Sequence, residues 1–294
     1  NTWAREGAAY ALRQAELFCP DTVPAIIVGS EYPLREGRLE TLPGEIAANP
    51  GADSGGLGSF SYARVTDWKA HYEARYGCEP SAYKVVEEDA SDFIIRQLHQ
   101  YPGEVTLLAI GPCTNIAKAL QKDPSVASLA KEIVYMGGAF WCEGNSTAFS
   151  EFNILYDPEA AAICFRAPFP LQTVVSLDVC NTVLMDSARY MSLYDKLPDE
   201  RMKDVFRGGF HYPAFKDTPG MKIPVWDLIS AAIVLDKSVV TKSNLCPVDV
   251  IDNPASPEYG RTVVSSSAPR PSAYIPLAIN EDKFWKLVNF TVSQ

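Results

Sequence analysis

Three short apolar runs, each followed by a helical pattern, constrain this chain most. They are Val105-Thr106-Leu107-Leu108-Ala109-Ile110, Ile133-Val134-Tyr135-Met136 and Leu171–Leu177. Short runs this rich in apolar residues suit parallel strands covered on both faces by helices. The segments between them have helical spacing. Asp89–Gln100 puts Phe93, Ile94 and Leu98 on one face, and Pro102-Gly103 ends it. Thr114 opens a helix through about Lys122, and Asp123-Pro124 starts another. Asp157 is placed to cap a further helix, with Pro158 at its first position. Strand and helix therefore alternate. The expected fold is α/β: a doubly wound, mainly parallel sheet with flanking helices and right-handed crossovers. Functional loops should gather at the carboxyl ends of its strands.

Before these runs, residues 5–18 read as a helix with Ala8, Ala11, Leu12, Ala15 and Phe18 on one face. Val23–Val28 reads as a short buried strand, and residues 30–65 as loop around Gly51–Gly58. After them, 185–225 is helical and loop-like, and Trp226-Asp227 leads an apolar helix, Leu228–Leu235. The tail, 247–294, holds several short strands and a helix near Asp282–Val288. The 294 residues are read as one domain.

Composition removes several classes. Net charge is −10 with no basic run, so neither nucleic acid nor an anionic membrane is an expected partner. No apolar run is long enough to span a bilayer. The seven cysteines form no CxxC pair, and Cys113, Cys164 and Cys180 sit among apolar residues as core would. Neither a disulfide framework nor a zinc site is expected, since none of the three histidines lies near a cysteine pair.

The chemistry concentrates in 136–159. A buried strand exits at Met136, and the loop beyond it carries Asn145, Glu151 and Asn153. Two carboxamides and a carboxylate offer both donors and acceptors, as the hydroxyls of a ribose require.

These residues, with two further blocks, resemble the inosine-uridine type nucleoside hydrolase family. The blocks are Leu107–Ala117 around Gly111-Pro112-Cys113-Thr114-Asn115, then Met136-Gly137-Gly138 through Asp157-Pro158-Glu159, then Trp226-Asp227 before an apolar helix. The resemblance implies hydrolysis of the N-glycosidic bond of ribonucleosides to ribose and free base. It also implies one Ca²⁺ that orients the ribose hydroxyls and acidifies a bound water. On this resemblance Thr114 gives Ca²⁺ a backbone carbonyl and Asp227 a carboxylate. Asn145, Glu151 and Asn153 hold ribose hydroxyls, Met136 packs beside the sugar, and Asn1 lies at the pocket mouth. A homodimer or homotetramer is implied too.

Two departures shape these expectations. The family's Asp-x-Asp-x-x-x-Asp-Asp cluster, which holds most of the Ca²⁺ and includes the catalytic base, is not in this sequence. The base and two strands are therefore expected upstream of Asn1, or in a segment cleaved off or supplied by another chain, and the residues given should catalyse little alone. The alternative is an inactive nucleoside- or ribose-binding relative. Trp226 also stands where many pyrimidine-tolerant members carry His. An indole stacks on a base but cannot protonate it, which implies a purine bias. Trp68 is the candidate second stacking ring, and Trp141 the next choice.

Overall fold

The computed structural model describes residues 4–22, 24–30, 32–38, 73–74, 77–79, 85–86, 88–207, 211–218, 220–265 and 271–292. In chain order the elements begin with α1 (Ala4–Phe18), β1 (Ile26–Ile27), β2 (Val85–Val86), α2 (Ala90–Gln100), β3 (Thr106–Ala109) and α3 (Thr114–Lys122). There follow α4 (Val126–Leu129), β4 (Glu132–Met136), α5 (Phe152–Tyr156), α6 (Pro158–Arg166), β5 (Gln172–Val175), α7 (Leu177–Cys180) and β6 (Leu184–Asp186). The remainder is α8 (Ser187–Asp195), α9 (Glu200–Arg207), α10 (His211–Asp217), β7 (Lys222–Pro224), α11 (Trp226–Leu235), β8 (Val240–Val250), β9 (Thr262–Val264), β10 (Ser272–Ile279) and α12 (Glu281–Val292).

The main sheet runs β3-β4-β5-β10-β8-β9. Its first four strands are parallel, and β8 and β9 join antiparallel. This is the expected doubly wound, mainly parallel α/β fold. The two faces follow from the period of a strand. On β4, Ile133 and Tyr135 enter one core with Leu98, Leu120 and Phe165. Val134 and Met136 enter the other with Ile229, Ile233 and Phe284. Tyr135 is fully buried, so its hydroxyl must find a partner, and it donates to Gln172 Oε1 at 3.0 Å.

Three expectations are corrected. Cover on both faces holds for β4 and β5, which are buried at every position, but not for β3. Leu108 is 37% and Ile110 48% exposed. The reason is position: β3 ends the sheet order, and no described strand pairs with its outer edge. β1 and β2 instead form a separate parallel pair. Second, the stretch read as helix and loop contains an antiparallel strand pair, β6 with β7. Third, the first strand of the tail is long and starts early. β8 spans eleven residues from Val240, and its polar Thr241–Asn244 portion is held by pairing with β10 rather than by burial.

The exits of β3, β4 and β5 lie at one end of the sheet, and α11 packs across all three strands. That places Trp226 and Asp227 on the helix that closes over the strands carrying the other candidate residues.

Candidate active site

The loop leaving β4 is pinned by groups from distant parts of the chain. Gly137 N donates to Val175 O at 3.2 Å, and Gly138 N donates to Glu151 Oε2 at 3.1 Å. Thr262 then takes both polar groups of the next residue: its hydroxyl accepts from Ala139 N and donates to Ala139 O, each at 2.9 Å. Gly138 must be glycine here. Its φ is +84°, and a Cβ would lie 3.0 Å from the Thr262 methyl.

Glu151 is buried and caps α5. Its Oε1 accepts from Asn153 N at 2.9 Å, and its Oε2 accepts from Ile154 N at 3.1 Å as well as from Gly138. One carboxylate thus joins the start of the strand-exit loop to the start of the helix that ends it. Burial pushes its pKa up to about 7 against the pull of these three donors, and the charge of Asp227 adds to the rise.

Asn153 turns back onto β4. Its Nδ2 donates to Met136 O at 3.1 Å and lies 3.3 Å from Met136 Sδ. The amide orientation is set by those acceptors, and its carbonyl oxygen makes no hydrogen bond among the described residues. Asn145 is exposed, and its Oδ1 accepts from Phe152 N at 2.9 Å. It helps Glu151 to close the same loop.

Asp227 lies in the first turn of α11, exposed on one side, with no hydrogen bond or ion pair among the described residues. Burial of the rest raises its pKa to about 6. Beside it, Trp226 packs partly buried on the second core, and its indole N–H is buried without a partner. The raised carboxyls have a measurable consequence. Folded Glu151 and Asp227 hold protons to higher pH than they do unfolded, so the folded chain binds more protons between about pH 4 and 7. Stability from these groups is highest below that window and falls as pH rises through it. Melting temperatures from pH 5 to 8 in cation-free buffer are expected to decline, and Glu151→Gln to flatten the decline. An unaltered slope in that variant would contradict the role of Glu151.

Thr114 is buried at the first turn of α3, and its hydroxyl donates to Asp157 Oδ2 at 2.6 Å. Asp157 also accepts from Leu34 N at 2.9 Å and caps α6 through Ala160 N at 3.1 Å. The expected helix cap is therefore also a staple between three segments. Next to Thr114, a cavity of about 460 Å³ lies between the exposed side of β3 and the chain after β1, lined by Ser30, Tyr32, Leu108, Ile110 and Asn115.

The fit to Ca²⁺ is partial. Asp227 is an uncompensated carboxylate that a cation would relieve. Among the described residues, however, no three His, Cys, Asp or Glu side chains gather as a metal cage. Glu151 has given its oxygens to backbone donors. By themselves these residues fall short of the six to eight oxygens that such an ion takes.

The structure thus brings together Met136, Glu151, Asn153 and Asp227, and places Thr114 at the neighbouring strand exit. Asn1 and Trp68 lie outside the described residues. Trp141 is exposed on the β4 loop, its ring 5.7 Å from that of Phe140. Sequence reasoning missed Thr262, an unremarkable strand threonine whose partner lies 123 positions away.

Comparison with known proteins decides the family. The family model described as inosine-uridine preferring nucleoside hydrolase matches residues 1–286. The chain belongs to this family. The nucleoside hydrolase of Crithidia fasciculata named "Inosine-uridine preferring nucleoside hydrolase" is 30% identical over 275 residues, covering 89% of this chain and 85% of that protein. "Probable uridine nucleosidase 1" of Oryza sativa is 38% identical over 157 residues, covering 52% of this chain and 44% of that protein. Against it and two further plant nucleosidases the chain spans less than half of the relative's length, 44, 41 and 48%. A solved plant nucleoside hydrolase superimposes with a TM-score of 0.75 over 99% of this chain and 87% of its own, at 21% identity, a likeness of fold.

Proposed function

We propose that this nucleoside hydrolase family member cleaves the N-glycosidic bond of ribonucleosides by water, releasing ribose and free base. The observation that carries the reading is the setting of Asn153 and Glu151 against Met136 at the exit of one buried strand, where Glu151 also feels the charge of Asp227. The names borne by the relatives support the reaction class.

The residues divide the work. Asn153, locked onto Met136, presents its amide oxygen to a sugar hydroxyl in a fixed direction. Glu151 holds the backbone around it, so little reorganisation is needed when the transition state forms. Glu151 and Asp227 lie close enough for their charges to interact. Two carboxyls beside the ribose favour the positive charge that develops on the ring as the base departs. Met136 gives the sugar an apolar floor.

Ca²⁺ is the cation this reading calls for, with Asp227 and the Thr114 carbonyl as two of its oxygens. When bound, such an ion supplies an acidified water and a hold on two ribose hydroxyls.

A purine bias belongs to the same proposal. Trp226 adjoins Asp227, and an indole stacks more strongly on a two-ring base. The test is the ratio of kcat/KM for inosine and uridine. A ratio of about ten or more is expected, falling in Trp226→His; equal values for the two nucleosides would remove the stacking role of Trp226.

A further inference from the structure

Asp178 sits in α7, just after β5, yet its carboxylate serves the loop after β4. Its Oδ2 accepts from Phe140 N at 2.9 Å, and its Oδ1 accepts from Trp141 N at 2.8 Å. The hydroxyl of Ser176, buried at the end of β5, donates to Oδ2 at 2.7 Å. No Lys or Arg pairs with Asp178 among the described residues. A carboxylate held by three neutral donors is fixed in direction, whereas an ion pair at the surface would leave it free to swing.

The loop it fixes is the one that matters for the candidate site. Residues 137–142 connect Met136, against which Asn153 is set, to the exposed Trp141. Glu151 grips the loop at Gly138 and Thr262 grips it at Ala139. Asp178 grips it at Phe140 and Trp141. The three anchors come from the loop's own end, from β9 and from the exit of β5, so the residues from Gly138 to Trp141 are tied to three parts of the fold. Leu177 N completes the link by donating to Gly138 O at 2.9 Å.

We propose that Asp178 is a positioning residue: its carboxylate sets the backbone of residues 140 and 141 and thereby the wall of the sugar site that begins at Met136. It touches no substrate. The kinetic consequence rests on the ribonucleoside reading; the backbone consequence does not.

The experiment uses Asp178→Asn and, in case that change is tolerated by rotation of the amide, Asp178→Ala. Asn keeps the size but turns one acceptor into a donor facing N–H and O–H groups. Amide hydrogen exchange is measured across 132–142 and 172–176, with kcat and KM for inosine on the same preparations. Expected are exchange about ten-fold or more faster at Phe140 and Trp141, with β4 and β5 amides unchanged, and a loss of about ten- to a hundred-fold in kcat at nearly constant KM. Unaltered protection at 140–141, or equal acceleration throughout both strands, overturns the proposal. A kcat that stays at the wild-type value despite a loosened loop overturns it as well. If the wild-type protein turns over no nucleoside, the ribonucleoside reading fails, and the exchange data alone still decide whether Asp178 sets this backbone.

Discussion

Replacing Asp227 by alanine is expected to lower kcat/KM for inosine by about 10³-fold, which corresponds to about 4 kcal/mol of transition-state stabilisation. The same change should leave the fold intact and, in cation-free buffer, keep or raise the melting temperature. The two expectations have one cause. Partial burial raises the Asp227 carboxyl to about 6, one side of the residue is exposed, and no described residue donates a hydrogen bond or lends a positive charge to it. A carboxylate that gains nothing from its neighbours adds nothing to the fold, so its presence needs a reason outside folding. The side-by-side measurement is inosine turnover and thermal unfolding of Asp227→Ala and Asp227→Asn. Wild-type turnover in either variant removes Asp227 from the site. A large fall in melting temperature would instead assign it to the architecture.

Glu151 should behave in the opposite way. Its truncation to alanine strips the acceptor from three backbone N–H groups at once: Gly138, Asn153 and Ile154. Each buried donor left alone costs about 1–3 kcal/mol. Part of this is returned by removing a buried acid that is itself held near pH 7. A net loss of about 3 kcal/mol is expected, or about 6–12 °C in melting temperature for a domain of this size. Turnover should fall with it, because Asn153 loses the anchor of its own backbone. Glu151→Gln keeps the volume and one acceptor and should lose less of both. A melting temperature for Glu151→Ala within a degree or two of wild type would show that these hydrogen bonds do not hold the loop.

The contrast marks what was legible beforehand. The buried strands were readable because β4 and β5 contain the apolar stretches 133–136 and 174–175, and the alternation of Ile133 and Tyr135 with Val134 and Met136 needs no partner to be seen. Asp157 was readable as a cap because Pro158 follows it. Its bond to Thr114 was not, since that contact joins two helices across a turn of the fold. Glu151 was read as a ligand group for sugar hydroxyls; its capping of α5 was hidden because glutamate is not among the common N-cap residues. The pairing of β6 with β7 and the polar half of β8 depend on strands far along the chain, and no local pattern announces them. The exposed flank of β3 could not be foreseen either, because Leu107–Ile110 carries the same apolar signal as a strand at the centre of a sheet.

Several roles assigned here converge on a single reaction, so its products test them together. Purified protein is incubated with inosine, in the presence and absence of Ca²⁺ and of inorganic phosphate, and hypoxanthine and reducing sugar are measured in parallel. The expected result is one free ribose for each base released, without any need for phosphate, and with release abolished in Asp227→Ala and strongly reduced in Asn153→Ala. Binding of nucleoside without release of base, or release that requires phosphate and yields a sugar phosphate, would contradict hydrolysis at this site.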